Sequence, residues 1–309
     1  MRGLSVVSNQ VAWVSGSNGH VGRSIDGGEN WKWMQPKGYE KLDFRDIEAF
    51  DSLNAIVVNA GSPAYILLTT DGGENWKEVY KNTDSLIFLD GMAFWNRNEG
   101  IIFGDPINNK MQLLKTDDGG LTWKNISENL KQELSIGEAG FAASGTTIRA
   151  NKNGHVWIAT GGKTANIYYS TNYAKTWKVY HCPIIQGESS TGTFSLSFAD
   201  SKYGIAVGGN YLKDKENSNN IVITSDGGKN WTKPETPVHG YRSSIEHLRG
   251  KIWVATGSSG TDYSLDNGKN WINLSKQNFN TIQKAKAGNL VLLTGNRGQI
   301  YELILPLRY

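Results

Sequence analysis

Thr69-Thr70-Asp71-Gly72-Gly73-Glu74-Asn75-Trp76 decides the fold of this 309-residue chain, because it is one of six related segments. Each segment begins with Ser or Thr and ends with Trp seven residues later. Asp-Gly between apolar runs is typical of a β-hairpin, since its turn needs positive φ, which glycine adopts without a steric clash. The six segments are Ser24–Trp31, Thr69–Trp76, Thr116–Trp123, Ser170–Trp177, Thr224–Trp231 and Ser264–Trp271. A hairpin that recurs every 40 to 54 residues indicates a repeat architecture.

The residue types in these segments predict their structural roles. The Asp is expected to accept hydrogen bonds from backbone N–H groups of its own turn. The Trp is expected to fill the space between neighbouring repeats, because burying an indole stabilises a fold by a few kcal/mol. One copy has decayed, since Asn172-Tyr173-Ala174 stands where Asp-Gly-Gly is expected.

A second repeat fixes the number of units. Seven short apolar runs end in Gly: Val11–Gly16, Ala55–Gly61, Ile101–Gly104, Val156–Gly161, Ile205–Gly208, Ile252–Gly257 and Leu290–Gly295. Runs of this length and composition are typical of buried strands. One seventh of the chain is about 44 residues, the size of one four-stranded blade. We predict an all-β, seven-bladed propeller in one domain, with blades at about 4–36, 44–82, 87–128, 138–181, 192–234, 241–275 and 279–309.

The last blade raises the question of how the ring closes. Only three strands are evident there, at Thr281–Ala285, Leu290–Thr294 and Gln299–Leu305. Leu4 already begins the first inner strand, and Leu305–Tyr309 is short and contains Pro306. We favour closure by an N-terminal segment that this chain lacks, which would also hide an export signal. The alternative is a last blade of three strands.

Composition excludes several classes of protein. Hydrophobic residues make up 38% of the chain, and no apolar run is long enough for a transmembrane helix. A net charge of +3 with scattered basic residues does not favour nucleic-acid binding. The single cysteine, Cys182, cannot form an internal disulfide and leaves the compartment open. We predict a monomer that binds no nucleic acid and has no membrane span.

The hairpin repeats resemble the Asp-box, or bacterial neuraminidase repeat. The opening Arg2-Gly3-Leu4-Ser5-Val6-Val7, together with Gly104-Asp105-Pro106, resembles the family of the photosystem II stability and assembly factor. The resemblance covers the whole chain and implies a propeller. It also favours a periplasmic or secreted location. Bacterial members are often labelled oxidoreductases, although the family implies no established redox chemistry, and one fold hosts many activities.

A functional site is expected on the face opposite the hairpins, where other loops surround the channel. The positions that lead into the inner strands are Arg2, Arg45, Asp90, Glu138, Thr193, Arg242 and Asn280. Loops after the Gly-terminated strands add Asp105, Lys163, Asn210, Tyr211 and Ser258. We predict a ligand site formed by Arg2, Arg45, Asp90, Asp105, Glu138, Lys163, Tyr211 and Arg242. Arginines in such a cluster recognise carboxylate or phosphate groups.

The leading functional hypothesis is a non-catalytic binding or assembly scaffold. Its loop face would hold a protein segment, an anionic ligand or a glycan. The plain structural alternative is a ring of charges that is solvated or paired internally and only holds the loops in register. Tyr211 lies in a long polar insertion, 210–220, which is either mobile surface or a lid.

A sialidase-type glycoside hydrolase is the main enzymatic alternative. Resemblance to sialidases implies three arginines around a sugar carboxylate, for which Arg2, Arg45 and Arg242 are candidates. It also implies a Tyr activated by Glu, and an acidic Asp. Glu138 and Tyr211 would form that pair, and Asp90 would be the acid. The Phe-Arg-Ile-Pro motif of sialidases is absent, because 44–47 reads Phe-Arg-Asp-Ile.

We predict no cofactor, metal or catalytic residue. The chain has no Gly-x-Gly-x-x-Gly between a strand and a helix, no Cys-x-x-Cys and no cluster of histidines. Asp117-Asp118 lacks the alternating oxygen ligands of a calcium loop. The hydroxyls of 188–192 have no partnering His that would activate a Ser nucleophile. An oxidoreductase is therefore the least supported function.

Overall fold

The computed structural model describes residues 1–305, which form a ring of seven antiparallel β-sheets. Blade one consists of β1 (Gly3–Val6), β2 (Ala12–Ser15), β3 (Val21–Ser24) and β4 (Lys32–Met34). Blade two consists of β5 (Phe44–Ala49), β6 (Ala55–Asn59), β7 (Ala64–Thr69) and β8 (Lys77–Asn82). Blade three consists of β9 (Leu89–Phe94), β10 (Gly100–Ile107), β11 (Lys110–Thr116) and β12 (Lys124–Asn125), followed by a 3-10 turn at Ser127–Asn129.

The second half of the ring is less regular. Strand β13 (Glu138–Ala139) precedes blade four. Blade four consists of β14 (Ile148–Ala150), β15 (Val156–Ala159), β17 (Asn166–Ser170) and β18 (Lys178–His181). The short strand β16 (Gly161–Gly162) lies in the loop after β15. Blade five consists of β19 (Thr191–Phe198), β20 (Gly204–Asn210) and β21 (Ile221–Thr224). Blade six consists of β22 (Ser244–Arg249), β23 (Ile252–Gly257), β24 (Gly260–Ser264) and β25 (Ile272–Ser275). Blade seven consists of β26 (Thr281–Lys284), β27 (Val291–Thr294) and β28 (Ile300–Glu302), with a 3-10 turn at Asn296–Gly298.

The predicted all-β, seven-bladed propeller is confirmed. Because the strands of each blade alternate in direction, all hairpins between third and fourth strands lie at one end of the ring, the hairpin face. Loops that enter the inner strands and loops that follow the second strands lie at the other end, the loop face. Within residues 1–305 no helix has the length and hydrophobicity that crossing a membrane requires.

The repeated hairpin has one hydrogen-bond pattern. In blade two, Thr69 Oγ1 accepts from the Gly73 N–H at 2.9 Å, and Asp71 Oδ1 accepts from the Asn75 N–H at 3.0 Å. Gly72 and Gly73 have φ of 77° and 88°. A Cβ on Gly73 would come within 2.0 Å of Met34 Sδ in blade one. The second glycine therefore lets the hairpin lie directly against the preceding blade, and the predicted role of the Asp in its own turn is confirmed.

The decayed hairpin keeps the same backbone without glycine. Tyr173 and Ala174 have φ of 58° and 61°, which is the left-handed conformation that the other copies give to glycine. Ser170 Oγ still accepts from the Ala174 N–H at 3.1 Å. Asn172 Oδ1 takes the place of the Asp oxygen and accepts from the Thr176 N–H at 3.0 Å. The turn survives because its hydrogen bonds need an oxygen at each position rather than a particular residue.

The tryptophans divide into two classes. Among the hairpin tryptophans, Trp271 is buried, and Trp76 is half-buried with its ring edge-on to Trp13 of blade one at 6.4 Å. Besides Trp271, the largest fully buried side chains are Trp13, Trp157 and Trp253, which lie on second strands. The inter-blade position of Trp76 agrees with the sequence-based expectation. The most deeply buried indoles, however, belong to the apolar runs.

Two blades differ from the expected pattern. The sequence predicts that blade four begins at Glu138, but its inner strand is β14, and β13 pairs with β16 beside the sheet of blade five. The residues between β13 and β14 are mostly small, and they fill the channel instead of forming a strand. Blade five has only an isolated bridge, Ile223–Thr232, in place of a fourth strand.

The ring closes between blades seven and one. The Lys286 N–H donates to the Val6 carbonyl at 3.0 Å, and Ser8 forms a parallel bridge with Ala287. Within residues 1–305, the sheet of blade seven has three strands. Residues 306–309, where we considered a short closing segment, lie outside the described residues.

Candidate functional site

Residues 140–147, the channel plug, lie inside the propeller channel just before the inner strand of blade four. At the loop face, the Gly140 N–H donates to Asp105 Oδ1 of blade three at 2.9 Å. Arg2 Nη1 of blade one donates to the Ala143 carbonyl at 3.0 Å. The plug therefore contacts both the neighbouring blade three and blade one on the other side of the ring.

Buried hydroxyl groups join the plug to three further blades. Ser144 Oγ donates to the Ser243 carbonyl of blade six at 2.7 Å, and the Ser144 carbonyl accepts from Thr281 Oγ1 of blade seven at 3.2 Å. Thr146 Oγ1 lies 2.6 Å from Ser195 Oγ of blade five. A segment of one blade that contacts its distant neighbours in this way must cross the axis. The plug therefore separates a mouth on the loop face from a cavity on the hairpin face.

Asp46 links blade two to blade three, and its carboxyl group lies beside Gly145 of the plug. Its Oδ1 accepts from the Ile47 N–H at 2.8 Å, and its Oδ2 accepts from the Met92 N–H of blade three at 2.7 Å. A Cβ on Gly145 would come within 2.3 Å of Oδ1, so a side chain there would displace the carboxyl group. Burial raises the pKa of Asp46 to about 8, although both N–H donors favour the charged form.

Asp46→Ser is expected to reduce the pH dependence of stability. Because the pKa of Asp46 is raised in the fold, its favourable contribution is complete below about pH 4 and is lost as pH rises through about 8. Serine is chosen because Ser5 and Ser195 make the equivalent link between other blades. Their Oγ atoms accept from the backbone N–H groups of Ala49 and Ile245. Urea unfolding at several pH values measures how the free energy of unfolding changes with pH. Between pH 5 and 7, the loss of stability per pH unit should be about 1.4 kcal/mol smaller in Asp46→Ser than in the wild type. Equal slopes for both proteins would contradict the raised pKa.

Arg2 and Arg45 lie together at the mouth. Arg45 Nε forms an ion pair with Asp43 Oδ2 at 2.8 Å, and its side chain is 33% exposed. Arg2 has no carboxylate within ion-pair distance among residues 1–305. Burial, and next the charge of Arg45, lower the pKa of Arg2 below its usual value. These two cations, unlike the third predicted arginine, form one positive region.

Asp90 and Asp105 form a carboxyl pair beside this region. Asp90 is 1% exposed, and neither of its oxygens has a hydrogen bond of good geometry within the described part of the chain. Burial and the charge of Asp105 hold the pKa of Asp90 well above its ordinary value, which the nearby Arg45 only partly offsets. Burial also raises the pKa of Asp105. Both shifts favour the protonated form of the pair, which would oppose the arginines less than two carboxylates would.

Glu138, on β13 just before blade four, is hydrogen-bonded to residues of that blade. Its Oε1 accepts from Thr160 Oγ1, Asn166 Nδ2 and Tyr168 Oη at 2.5, 3.0 and 2.9 Å. Its Oε2 accepts from the Ser135 N–H at 3.1 Å. The tyrosine beside Glu138 is thus Tyr168, whose pKa burial raises far above its usual value. The Glu138–Tyr211 pair considered for a sialidase is not formed.

Arg242 is fully buried and does not join the other arginines. Its Nε and Nη2 donate to Asp262 Oδ2 at 2.9 and 2.5 Å. Its Nη1 donates to the Tyr241 carbonyl and to Ser259 Oγ at 2.8 and 2.6 Å. Both charged side chains are 0% exposed. The expectation of three accessible arginines is therefore wrong for Arg242, because an acid of its own blade, on a strand that we did not consider, encloses it.

Four aromatic side chains, Phe141, Phe194, Tyr211 and Tyr241, form a mouth cluster. The ring centroid of Phe194 lies 3.9 Å from Phe141, 4.8 Å from Tyr241 and 6.0 Å from Tyr211. Tyr211 is 47% exposed. Arg2 is close enough to Tyr241 that its positive charge affects the pKa of the phenol, although burial raises that pKa overall. The cluster and the cations therefore belong to one surface.

Sequence reasoning found only Tyr211 of this cluster. A signal was present, because Phe194 follows Thr193 and Tyr241 precedes Arg242, two positions that lead into inner strands. Lys163 is exposed in the loop after β15 and packs over Gly137, where a Cβ would come within 2.9 Å of its side chain. The structure therefore gathers Arg2, Arg45, Asp90, Asp105 and Tyr211 around the mouth, whereas Glu138 and Arg242 are engaged internally.

Neither a metal ion nor a reactive thiol has an evident site among residues 1–305. Within residues 1–305 there is no group of three or more His, Cys, Asp or Glu side chains that would hold a metal ion. Cys182 is buried, and burial raises its pKa to about 11, so the thiol is not a ready nucleophile.

Comparison with known proteins gives similarity in fold over nearly the whole chain. The Sortilin-Vps10 family model, described as "Sortilin, neurotensin receptor 3", matches residues 111–251, which is less than half of the chain. No curated protein sequence matches the chain. The structure of YCF48 bound to D1 peptide is similar with a TM-score of 0.69 and 15% identity, covering 98% of this chain and 92% of that one.

Two further structures have the same architecture. YCF48 from Cyanidioschyzon merolae matches with a TM-score of 0.65 and 15% identity, covering 97% of this chain and 93% of that one. The Neurospora crassa Pan2 WD40 domain matches with a TM-score of 0.65 and 13% identity, covering 100% and 90%. At these identities the likeness establishes a shared fold.

Proposed function

We propose that this chain is a non-catalytic binding scaffold that holds a protein segment at the loop-face mouth. The observation that carries the proposal is the mouth cluster beside Arg2, above a channel that the plug closes. Aromatic side chains and arginine are enriched at protein interfaces, because they offer large contact areas with few rotatable bonds. A closed channel turns the mouth into a shallow docking surface and not a passage.

The charges at the mouth favour an acidic segment. Arg2 has no ion-pair partner among residues 1–305, and Arg45 is held only by the partly exposed Asp43. Guanidinium groups bind carboxylates with two parallel hydrogen bonds. The raised pKa values of Asp90 and Asp105 favour their protonated forms, which would reduce the negative charge that such a segment meets.

Apolar side chains on the same face favour a protein over a small anion. Ile136 is 82% exposed and Leu212 is 73% exposed, and both lie in loops that flank the mouth cluster. Exposed apolar side chains next to an aromatic cluster are typical of interaction surfaces. The similar propeller YCF48 is known bound to D1 peptide, which also supports a protein segment as the ligand of this chain.

The sialidase-type alternative has less support. It needs Arg242 at the sugar carboxylate, but that side chain is enclosed with Asp262. It also needs Glu138 next to Tyr211, whereas Glu138 is hydrogen-bonded to Tyr168. Hydrolysis of a sialoside analogue that disappears in Glu138→Gln would reverse this preference.

The double variant Arg45→Gln/Tyr211→Ala is expected to weaken binding of acidic peptides by about tenfold or more. The reason is that it removes one cation and one exposed ring from the mouth without disturbing buried groups. An array of short acidic and neutral peptides identifies binders, and titration calorimetry then compares the proteins. Arg297→Gln is the control, since Arg297 is exposed on the loop face in blade seven. Equal binding by both variants, or no acidic binder in the array, would refute the proposal.

A further inference from the structure

The channel plug leaves a second cavity on the hairpin face, the vestibule, with a volume of about 700 Å³. Asp46 and Gly145 lie at its closed end. Its walls come from the inner strands and following loops of blades two, three, four, six and seven, with Val7 of blade one. Its charged side chains include Glu48, Arg149, Lys152, Glu246, Lys284 and Lys286, and also Arg97, which forms an ion pair with Asp51 at 3.0 Å. Ligand pockets are typically about 300–1,000 Å³, so the vestibule has the size of a small-molecule site.

Two ion pairs are built into its walls. Lys286 Nζ lies 2.5 Å from Glu48 Oε1 and also donates to Ser5 Oγ at 3.2 Å. Arg149 Nη2 donates to Glu246 Oε2 at 2.8 Å, and its Nε donates to the Leu196 carbonyl at 2.9 Å. Arg149 Nη1 has no hydrogen-bond acceptor among the described residues. Hydrogen bonds from two nitrogens thus fix this guanidinium group, and the third nitrogen is available to another partner.

Two further cations of the vestibule have no ion-pair partner among the described residues. Lys152 of blade four and Lys284 of blade seven form no ion pair within residues 1–305. Glu246, whose carboxylate lies near the backbone of Lys284, is already paired with Arg149, and burial raises the pKa of Glu246. Asp46 carries little negative charge at neutral pH, because burial raises its pKa to about 8. The vestibule therefore has an excess of positive charge inside a concave, partly enclosed space, which concentrates anions.

We propose that the vestibule binds a small dianion, either a phosphate-bearing molecule or a dicarboxylate. Arg149 Nη1, Lys152 and Lys284 would donate to it. Arg149 supplies a directed donor from a fixed position, whereas the two lysines supply mobile positive charge from opposite sides of the ring. The plug prevents the ligand from passing to the loop face. This site is independent of the proposed binding of a protein segment, so either can fail while the other holds.

Titration calorimetry with inorganic phosphate, pyrophosphate and succinate tests the site. We expect saturable binding of at least one probe, and the preferred probe distinguishes phosphate from dicarboxylate. Lys152→Gln/Lys284→Gln is expected to weaken it by about tenfold. The control is Lys202→Gln/Lys229→Gln, which removes the same charge from exposed positions of blade five on the same face. Affinity should be unchanged in this control.

A variant with the opposite expected effect separates a site from general attraction. Glu246→Gln removes the carboxylate that competes for Arg149 and is expected to raise affinity about threefold or more. Circular dichroism and thermal melts identify variants that are not folded, and for these the single variant Lys284→Gln replaces the double one. The proposal is wrong if no probe binds saturably, if both lysine pairs give equal losses, or if Glu246→Gln weakens binding in a folded protein.

Discussion

Asp262→Ala is expected to lower the free energy of unfolding by about 3–5 kcal/mol, because it leaves the buried Arg242 guanidinium without its counter-ion. Arg242 and Asp262 are both 0% exposed, so water cannot replace the lost partner. Asp262 also accepts from the His239 N–H at 2.8 Å and from Asn273 Nδ2 at 3.0 Å, and these donors lose their acceptor too. Denaturant unfolding followed by tryptophan fluorescence measures the change.

The chain supplies a matched control for this substitution. Asp43→Ala breaks another Arg–Asp pair, that of Arg45, whose side chains are 33% and 31% exposed. Solvent screens this pair, so the expected change is at most about 1 kcal/mol. Arg242→Met/Asp262→Leu should recover much of the lost stability, since apolar pairs often replace buried ion pairs without net loss. If Asp262→Ala and Asp43→Ala are equally mild, Arg242 does not depend on this pair.

Trp157→Ala is the second large effect, and we expect it to lower stability by about 3–5 kcal/mol. Trp157 is 1% exposed and stacks on Phe198 of blade five with ring centroids 4.1 Å apart. Its Nε1 donates to the Gly227 carbonyl, also of blade five, at 2.9 Å. The substitution therefore removes both apolar contact and a hydrogen bond from the joint between two blades.

Trp76→Ala provides the comparison, with an expected loss of about 2 kcal/mol. Its ring is half-buried, and its Nε1 has no hydrogen-bond partner among the described residues. Thermal and denaturant unfolding of both variants would rank the two tryptophan classes. A larger loss for Trp76→Ala would mean that the hairpin tryptophans, and not those of the second strands, hold the blades together.

The fold was predictable from sequence because its signals are local and repeated. Asp-Gly-Gly specifies a turn within eight residues, and apolar runs ending in Gly specify the second strands. The site was less predictable, because the partners of its residues come from distant parts of the chain. Asp262 lies on β24, twenty residues after Arg242, which precedes β22, and nothing local distinguishes Arg242 from Arg45. The surroundings of Glu138 could likewise be predicted only by knowing that residues 140–147 enter the channel.

The channel plug also affects how the ring unfolds. In a repeat protein whose units contact only their neighbours, stability is approximately a sum of adjacent terms, and individual repeats can open independently. Here, Ser144 and Thr146 connect blade four to blades five, six and seven at once. Opening any of those blades exposes buried hydroxyl groups that belong to another. This propeller should therefore lose its structure in one cooperative transition, with amide hydrogens on opposite sides of the ring exchanging at similar rates.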